Sequence, residues 1–127
     1  MTNLGIVGLD LTVPDAPRLR DFYAAVVGWG VSGLKNGENY DDNDDYFMTG
    51  ADGVPVAGVC QRQGENADLP PQWLAYIAVD DLDARVAKCE ELGGSVVTGI
   101  KGDGPGSYCV IKDPSGAVLA LMQNPEP

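Results

Sequence analysis

Two stretches of this chain repeat one another at a fixed spacing. Leu11 and Ile77, Val13 and Val79, Asp15 and Asp81, Gly28 and Gly94, Val31 and Val97, and Gly33 and Gly99 each stand 66 positions apart. A repeat of this length marks one supersecondary unit used twice, and it constrains the fold more than any single motif. In the first copy Val7, Leu9, Leu11 and Val13 alternate with Gly8, Asp10 and Thr12, which predicts a strand over residues 5–13. Asp15 can cap a helix and Pro17 is tolerated in its first turn. Leu19, Phe22, Tyr23, Val26 and Val27 then recur at helical spacing, and Gly28 can close the helix in a left-handed conformation. The expected helix is about Asp15–Val27. In the second copy Trp73, Ala75, Ile77 and Val79 share one strand face. Asp81 caps a helix of about Asp81–Leu92 carrying Leu82, Val86, Cys89 and Leu92, and Gly93-Gly94 ends it.

Three strands are expected after each helix. They fall at about Gly30–Leu34, Tyr46–Thr49 and Val54–Gln61, and again at about Ser95–Ile100, Ser107–Lys112 and Ala117–Met122. Turn signals separate them at Asn36-Gly37, Ala51-Asp52-Gly53, Gly102–Gly106 and Asp113-Pro114-Ser115-Gly116. The fold class is therefore α+β, with module one at about 4–62, a polar, proline-ended linker at about 63–71, and module two at about 72–124. A length of 127 residues suits a single domain of two such modules.

Composition removes several classes of function. No apolar run approaches the ~18 residues that would span a bilayer. Met1-Thr2-Asn3-Leu4-Gly5 has neither a basic nor an apolar leader region, so a cytoplasmic location is expected. A net charge of -11 makes nucleic acid a poor partner and either serves solubility or attracts cationic ligands. Cys60, Cys89 and Cys109 are too widely spaced for a zinc ribbon or a redox dithiol and read as small buried apolar residues. The chain has no histidine, so any mechanism must do without the commonest metal ligand and the usual general base near neutral pH. Asp41, Asn43 and Asp45 match the start of a calcium loop. The match fails at Tyr46, where glycine is needed, and at Asp52, where glutamate is needed. That segment reads as a solvated acidic loop, or as a rim contact for a cationic ligand. Gly102–Gly106 lacks the lysine and helix of a phosphate loop and reads as a hairpin turn.

Asp21-Phe22-Tyr23 leading to Val27-Gly28-Trp29 resembles the first-module signature of the glyoxalase/bleomycin-resistance/extradiol-dioxygenase (vicinal oxygen chelate) superfamily. Val79-Asp80-Asp81-Leu82-Asp83-Ala84, Leu92-Gly93-Gly94 and Asp113-Pro114-Ser115-Gly116 resemble its second-module landmarks, and the likeness covers nearly the whole chain. The resemblance implies two tandem β-α-β-β-β modules forming a curled eight-stranded mixed sheet around a cleft, with the helices outside, and a homodimer. It also implies that metal-dependent members carry ligands at positions that here are Gly8, Leu74, Ala120 and the stretch Ala57–Val59. None of these offers a side-chain donor, so no metal and no cofactor is expected.

The alternation places Asp10 opposite Val7, Leu9 and Leu11, on what the resemblance implies is the cleft side, as a structural hydrogen-bond partner, a ligand anchor or a general base. Tyr76 shares its face with Leu74 and Ala78, and Met122 with Val118 and Ala120. Thr12, Tyr46, Met48 and Tyr108 complete the candidate ligand contacts, with the faces of Tyr46 and Tyr108 left open. Trp29 and Trp73 are expected under the helices. The expected function is metal-independent binding of an apolar or cationic small molecule, such as drug or metabolite sequestration. The alternatives are a metal-independent isomerase or lyase using Asp10 and a tyrosine, or a vestigial oligomerising domain.

Overall fold

The computed structural model describes residues 5–35 and 37–125. The expected start of module one at Leu4, and Asn36 of the Asn36-Gly37 turn, lie outside the described residues. The elements run β1 (Ile6–Val13), α1 (Ala16–Val27), β2 (Gly30–Gly33), β3 (Tyr46–Thr49), β4 (Pro55–Gln61), β5 (Trp73–Val79), α2 (Leu82–Glu91), β6 (Ser95–Val96), β7 (Tyr108–Lys112) and β8 (Val118–Gln123). This is the expected α+β class, a β-α-β-β-β order used twice. Each copy also pairs its strands in the same way. β1 runs parallel to β4 and β5 parallel to β8, while β2–β3, β3–β4, β6–β7 and β7–β8 are antiparallel.

The chain forms two compact units whose boundary falls inside β1. Leu9–Trp73 make one unit, so the segment expected as a linker belongs with module one. That segment is ordered by a short 3-10 turn, Gly64–Asn66, and buries Leu69. Residues 5–8 and 74–125 make the other unit, in which the Ala78 N–H donates to Gly5 O at 3.0 Å.

In the first unit the core lies between α1 and one strand face. Leu11, Val13, Ala16, Tyr46, Met48, Ala57 and Val59 fill it, with Leu9, Leu19, Tyr23, Trp29 and Trp73 packed around them. Both tryptophans therefore lie on the α1 side, and Trp73 meets Tyr23 edge-on at 5.1 Å between ring centres. In the second unit Leu82, Cys109 and Ile111 pack with Val79, Val86, Cys89, Leu119 and Leu121 under α2. Each fully buried large side chain contributes roughly 1.5–3 kcal/mol. The buried stripes are narrower than the sequence periodicity. Phe22, Val26 and Val27 of α1 are 51%, 65% and 50% exposed, and Leu92 lies just beyond the end of α2 and is 67% exposed.

The start of α2 matches expectation and that of α1 does not. Asp81 accepts from the Ala84 N–H at 3.2 Å, but Asp15 makes no capping bond. In both modules a glutamine at the end of the last strand also bonds to the helix start. The Ala16 N–H donates to Gln61 Oε1 at 3.1 Å, and Gln61 Nε2 donates to Pro14 O at 2.6 Å. The Leu82 N–H donates to Gln123 Oε1 at 2.8 Å, and Gln123 Nε2 donates to Asp80 O at 2.7 Å. One carboxamide thus satisfies an orphan helix donor and the carbonyl just before the helix. β6 stops at Val96, short of the expected Ile100, because the Val97 and Thr98 N–H groups both point at Val110 O, at 2.8 and 3.3 Å. Two donors on one acceptor break the regular ladder.

Candidate functional site

In the second unit the face turned away from α2 is aromatic and apolar. Tyr76 pairs with Ala120 across β5–β8, and Tyr108 pairs with Met122 across β7–β8. Cys109 and Ile111 point to α2, so alternation turns Tyr108 the other way, onto the face of Tyr76 and Met122. The Tyr76 and Tyr108 rings meet edge to face with centres 5.6 Å apart. Gly8 approaches this pair, and a Cβ there would lie 3.5 Å from Tyr76 Cβ. Tyr76 is 8% exposed, whereas Tyr108 and Met122 are half-buried and present the accessible surface.

In the first unit the face turned away from α1 is polar. Asp10 and Thr12 of β1 lie opposite Gly58 and Cys60 of β4. The Asp10 carboxyl leans over Gly58, where a side chain would collide with it. Burial holds this carboxyl above the ordinary carboxylate range. A backbone hydrogen bond from Gly58 draws it back, and the charge of Asp45 pushes it further up. Burial, with Asp10 and Asp45 nearby, pushes the Cys60 thiol up to about 12. Cys60 is therefore a protonated thiol at neutral pH and not a nucleophile.

Two of the expected ligand contacts are misplaced. Tyr46 and Met48 pair with Val59 and Ala57 on the α1 side of the strands and are 2% and 0% exposed. They fill the core under α1 and do not share a face with Asp10 and Thr12. The expectation of a solvated acidic loop holds at Asp41, Asp42 and Asn43, which are exposed, and needs correction at Asp44 and Asp45. Asp44 is 2% exposed and accepts from the Lys35 N–H at 3.1 Å. Asp45 accepts from the Gln61 N–H at 2.9 Å. Asp42 pairs with Arg20 Nη1 at 3.1 Å. Arg20 itself lies over the rings of Tyr40 and Tyr46, 5.1 and 4.9 Å from their centres, and grips Asp21 through Nε and Nη2. Its Asp21 partner is held below the usual carboxylate range by that contact. This cluster pins the acidic loop to α1.

At the positions where metal ligands were implied stand Gly8, Leu74, Gly58 and Ala120, with Ala57 and Val59 turned to the α1 core. These residues supply no side-chain donor atoms. Among the described residues no three histidine, cysteine or carboxylate side chains converge as an ion site. The donor set does not fit a divalent cation. No helix among the described residues is long and apolar enough to cross a membrane.

The β-α-β-β-β order used twice defines a glyoxalase-like class of protein. A family model described as "Glyoxalase-like domain" matches residues 7–122, and the chain belongs to that family. It is similar to "Putative glyoxylase CFP32" of Mycobacterium tuberculosis, at 35% identity over 91% of this chain and 44% of that protein. It is also similar to "Anthracycline biosynthesis protein DnrV" of Streptomyces peucetius, at 30% identity over 90% of this chain and 45% of that protein. The chain thus spans less than half the length of these curated relatives. Among solved structures, a glyoxalase/bleomycin resistance protein/dioxygenase superfamily member from Vibrio splendidus shares the fold. Its TM-score is 0.54 and its identity 18%, over 92% of this chain and 96% of that one.

Proposed function

We propose that this chain is a metal-independent small-molecule-binding protein whose ligand surface is the face formed by Tyr76, Tyr108 and Met122. The observation that carries the reading is the edge-to-face tyrosine pair with a methionine in register beside it, on strands whose other face is already occupied by α2. Such a surface offers wide contact and little directional chemistry, which suits a planar apolar molecule. The likeness to a protein named for anthracycline biosynthesis supports a polycyclic aromatic ligand. Metal independence is supported by the donor-free residues Gly8, Leu74, Gly58 and Ala120.

Calorimetric titration with an anthracycline tests this. Saturable binding is expected without added metal, and Tyr108→Ala should weaken it by roughly 1–2 kcal/mol. Equal affinity for a correctly folded Tyr108→Ala variant would refute the assignment, as would binding that needs a divalent ion.

One observation favours a second reading. The raised Asp10 carboxyl suits an acid–base role in an isomerase or lyase. Tyr23, Tyr40 and Tyr46 of the same unit all pack on the α1 side, so none shares the face of Asp10. Turnover of a bound ligand, abolished by Asp10→Asn, would favour this reading over pure binding. We also propose a homodimer, supported by the exposed Phe22, Val26 and Val27 of α1.

A further inference from the structure

Among the described residues one arginine is left without a carboxylate. Arg18 faces Asp15, Arg20 grips Asp21 and Asp42, and Arg85 grips Asp80. Arg62 has no carboxylate partner among the described residues, and its Nε is buried without a hydrogen bond. Carboxylates are not scarce, since the chain carries 19 acidic residues against eight basic ones. A buried donor left unpaired is costly and persists where something else satisfies it.

The position of Arg62 shows what it faces. Its N–H donates to Val13 O at 2.8 Å and so continues the β1–β4 ladder one step beyond Gln61. Gln61 turns its carboxamide to the start of α1. Alternation places Arg62 on the opposite face, with Cys60 and Gly58, beside Thr12 and Asp10 of β1. Asp10 is not within ion-pair distance of it and instead takes the Gly58 backbone. That face therefore holds a planar guanidinium without an ion-pair partner, a threonine, and the Asp10 carboxyl, which burial and the nearby charge of Asp45 hold above the ordinary carboxylate range.

We propose that Arg62 is an oxyanion-binding residue, and that the β1–β4 face of the first unit takes the carboxylate or phosphate group of a small ligand. A guanidinium fork matches either group with two parallel hydrogen bonds. The Thr12 hydroxyl is a further donor on the same face. Anion binding by Arg62 does not rest on ligand binding by the aromatic residues Tyr76 and Tyr108.

The test is NMR of the arginine Nε–H signals of the intact chain, titrated separately with benzoate and inorganic phosphate. Arg62→Lys identifies the Arg62 signal by its loss. The expected result is a saturable shift of that signal, with the signals of Arg18 and Arg85 unmoved. Saturation by benzoate alone identifies a carboxylate site, by phosphate alone a phosphate site, and by both a general oxyanion site. Arg62→Gln should weaken the anion that binds about tenfold or more by calorimetry, while Arg18→Gln leaves it unchanged. An Arg62 signal that moves with neither anion, or moves no more than those of Arg18 and Arg85, would overturn the proposal without relying on any variant.

Discussion

Gln123→Ala tests whether a long-range carboxamide holds each helix to its strands. The substitution removes two hydrogen bonds, from the Leu82 N–H at 2.8 Å and to Asp80 O at 2.7 Å. Each is worth about 0.5–1.5 kcal/mol net. Leu82 is buried, so its N–H is left with little access to water, while the Asp80 end is exposed and recovers part of its loss. The expected cost is therefore about 2 kcal/mol. Gln123→Glu keeps the acceptor for Leu82 and loses the donor to Asp80, so it should cost about half as much. Urea unfolding followed by tryptophan fluorescence reads this as a midpoint lowered by roughly 1 M at unchanged slope, given slopes of about 1–3 kcal/mol/M. Gln61→Ala should behave alike, because its carboxamide makes the same two contacts with Ala16 and Pro14. The reasoning fails if Gln123→Ala stays within about 0.5 kcal/mol of the parent, the range of an unremarkable surface change.

Three further outcomes are expected. Asp10→Asn should stabilise the protein at pH 7. The carboxyl's folded-state value is raised, so the folded chain holds its proton more tightly, and stability is lost as pH rises from about 4 through the folded value. The advantage of the variant should vanish below about pH 4 in pH-resolved melting, and a gap independent of pH would show that burial of charge is not its cause. Gly58→Ala should cost about 1–3 kcal/mol, because the new methyl meets the Asp10 carboxyl, with Cγ at 3.2 Å. Adding Asp10→Ala should recover much of that loss in a double-mutant cycle, and simple additivity would exclude the clash. Sedimentation at micromolar concentration should give a dimer that Val26→Glu disperses, and a monomeric parent would refute the homodimer.

What could be read from the sequence was whatever depends on near neighbours. Strand alternation in β1 and β5 placed Asp10 and Tyr76 on the faces opposite Leu11 and Ile77. The cap by Asp81, the left-handed end at Gly28 with φ 85°, and the turn in which Asp113 accepts from Ser115 and Ala117 are bonds spanning a few residues, so their residue types announce them. What depends on distant pairing was not legible. Tyr46-Phe47-Met48 is apolar on both faces, and only the register with Val59 and Ala57 turned Tyr46 and Met48 into the core and left Phe47 38% exposed. Tyr108 was ambiguous for the same reason until its register with Met122 settled the face. Asp44 and Asp45 looked solvated because the Lys35 and Gln61 N–H groups they receive lie 9 and 16 residues away, and Asp15 looked like the cap because Gln61 lies 45 residues from the N–H it receives. A side chain's local spacing decides which neighbours share its face. Which face is buried, and which charges and amides find partners across it, is decided only when separate strands and helices meet.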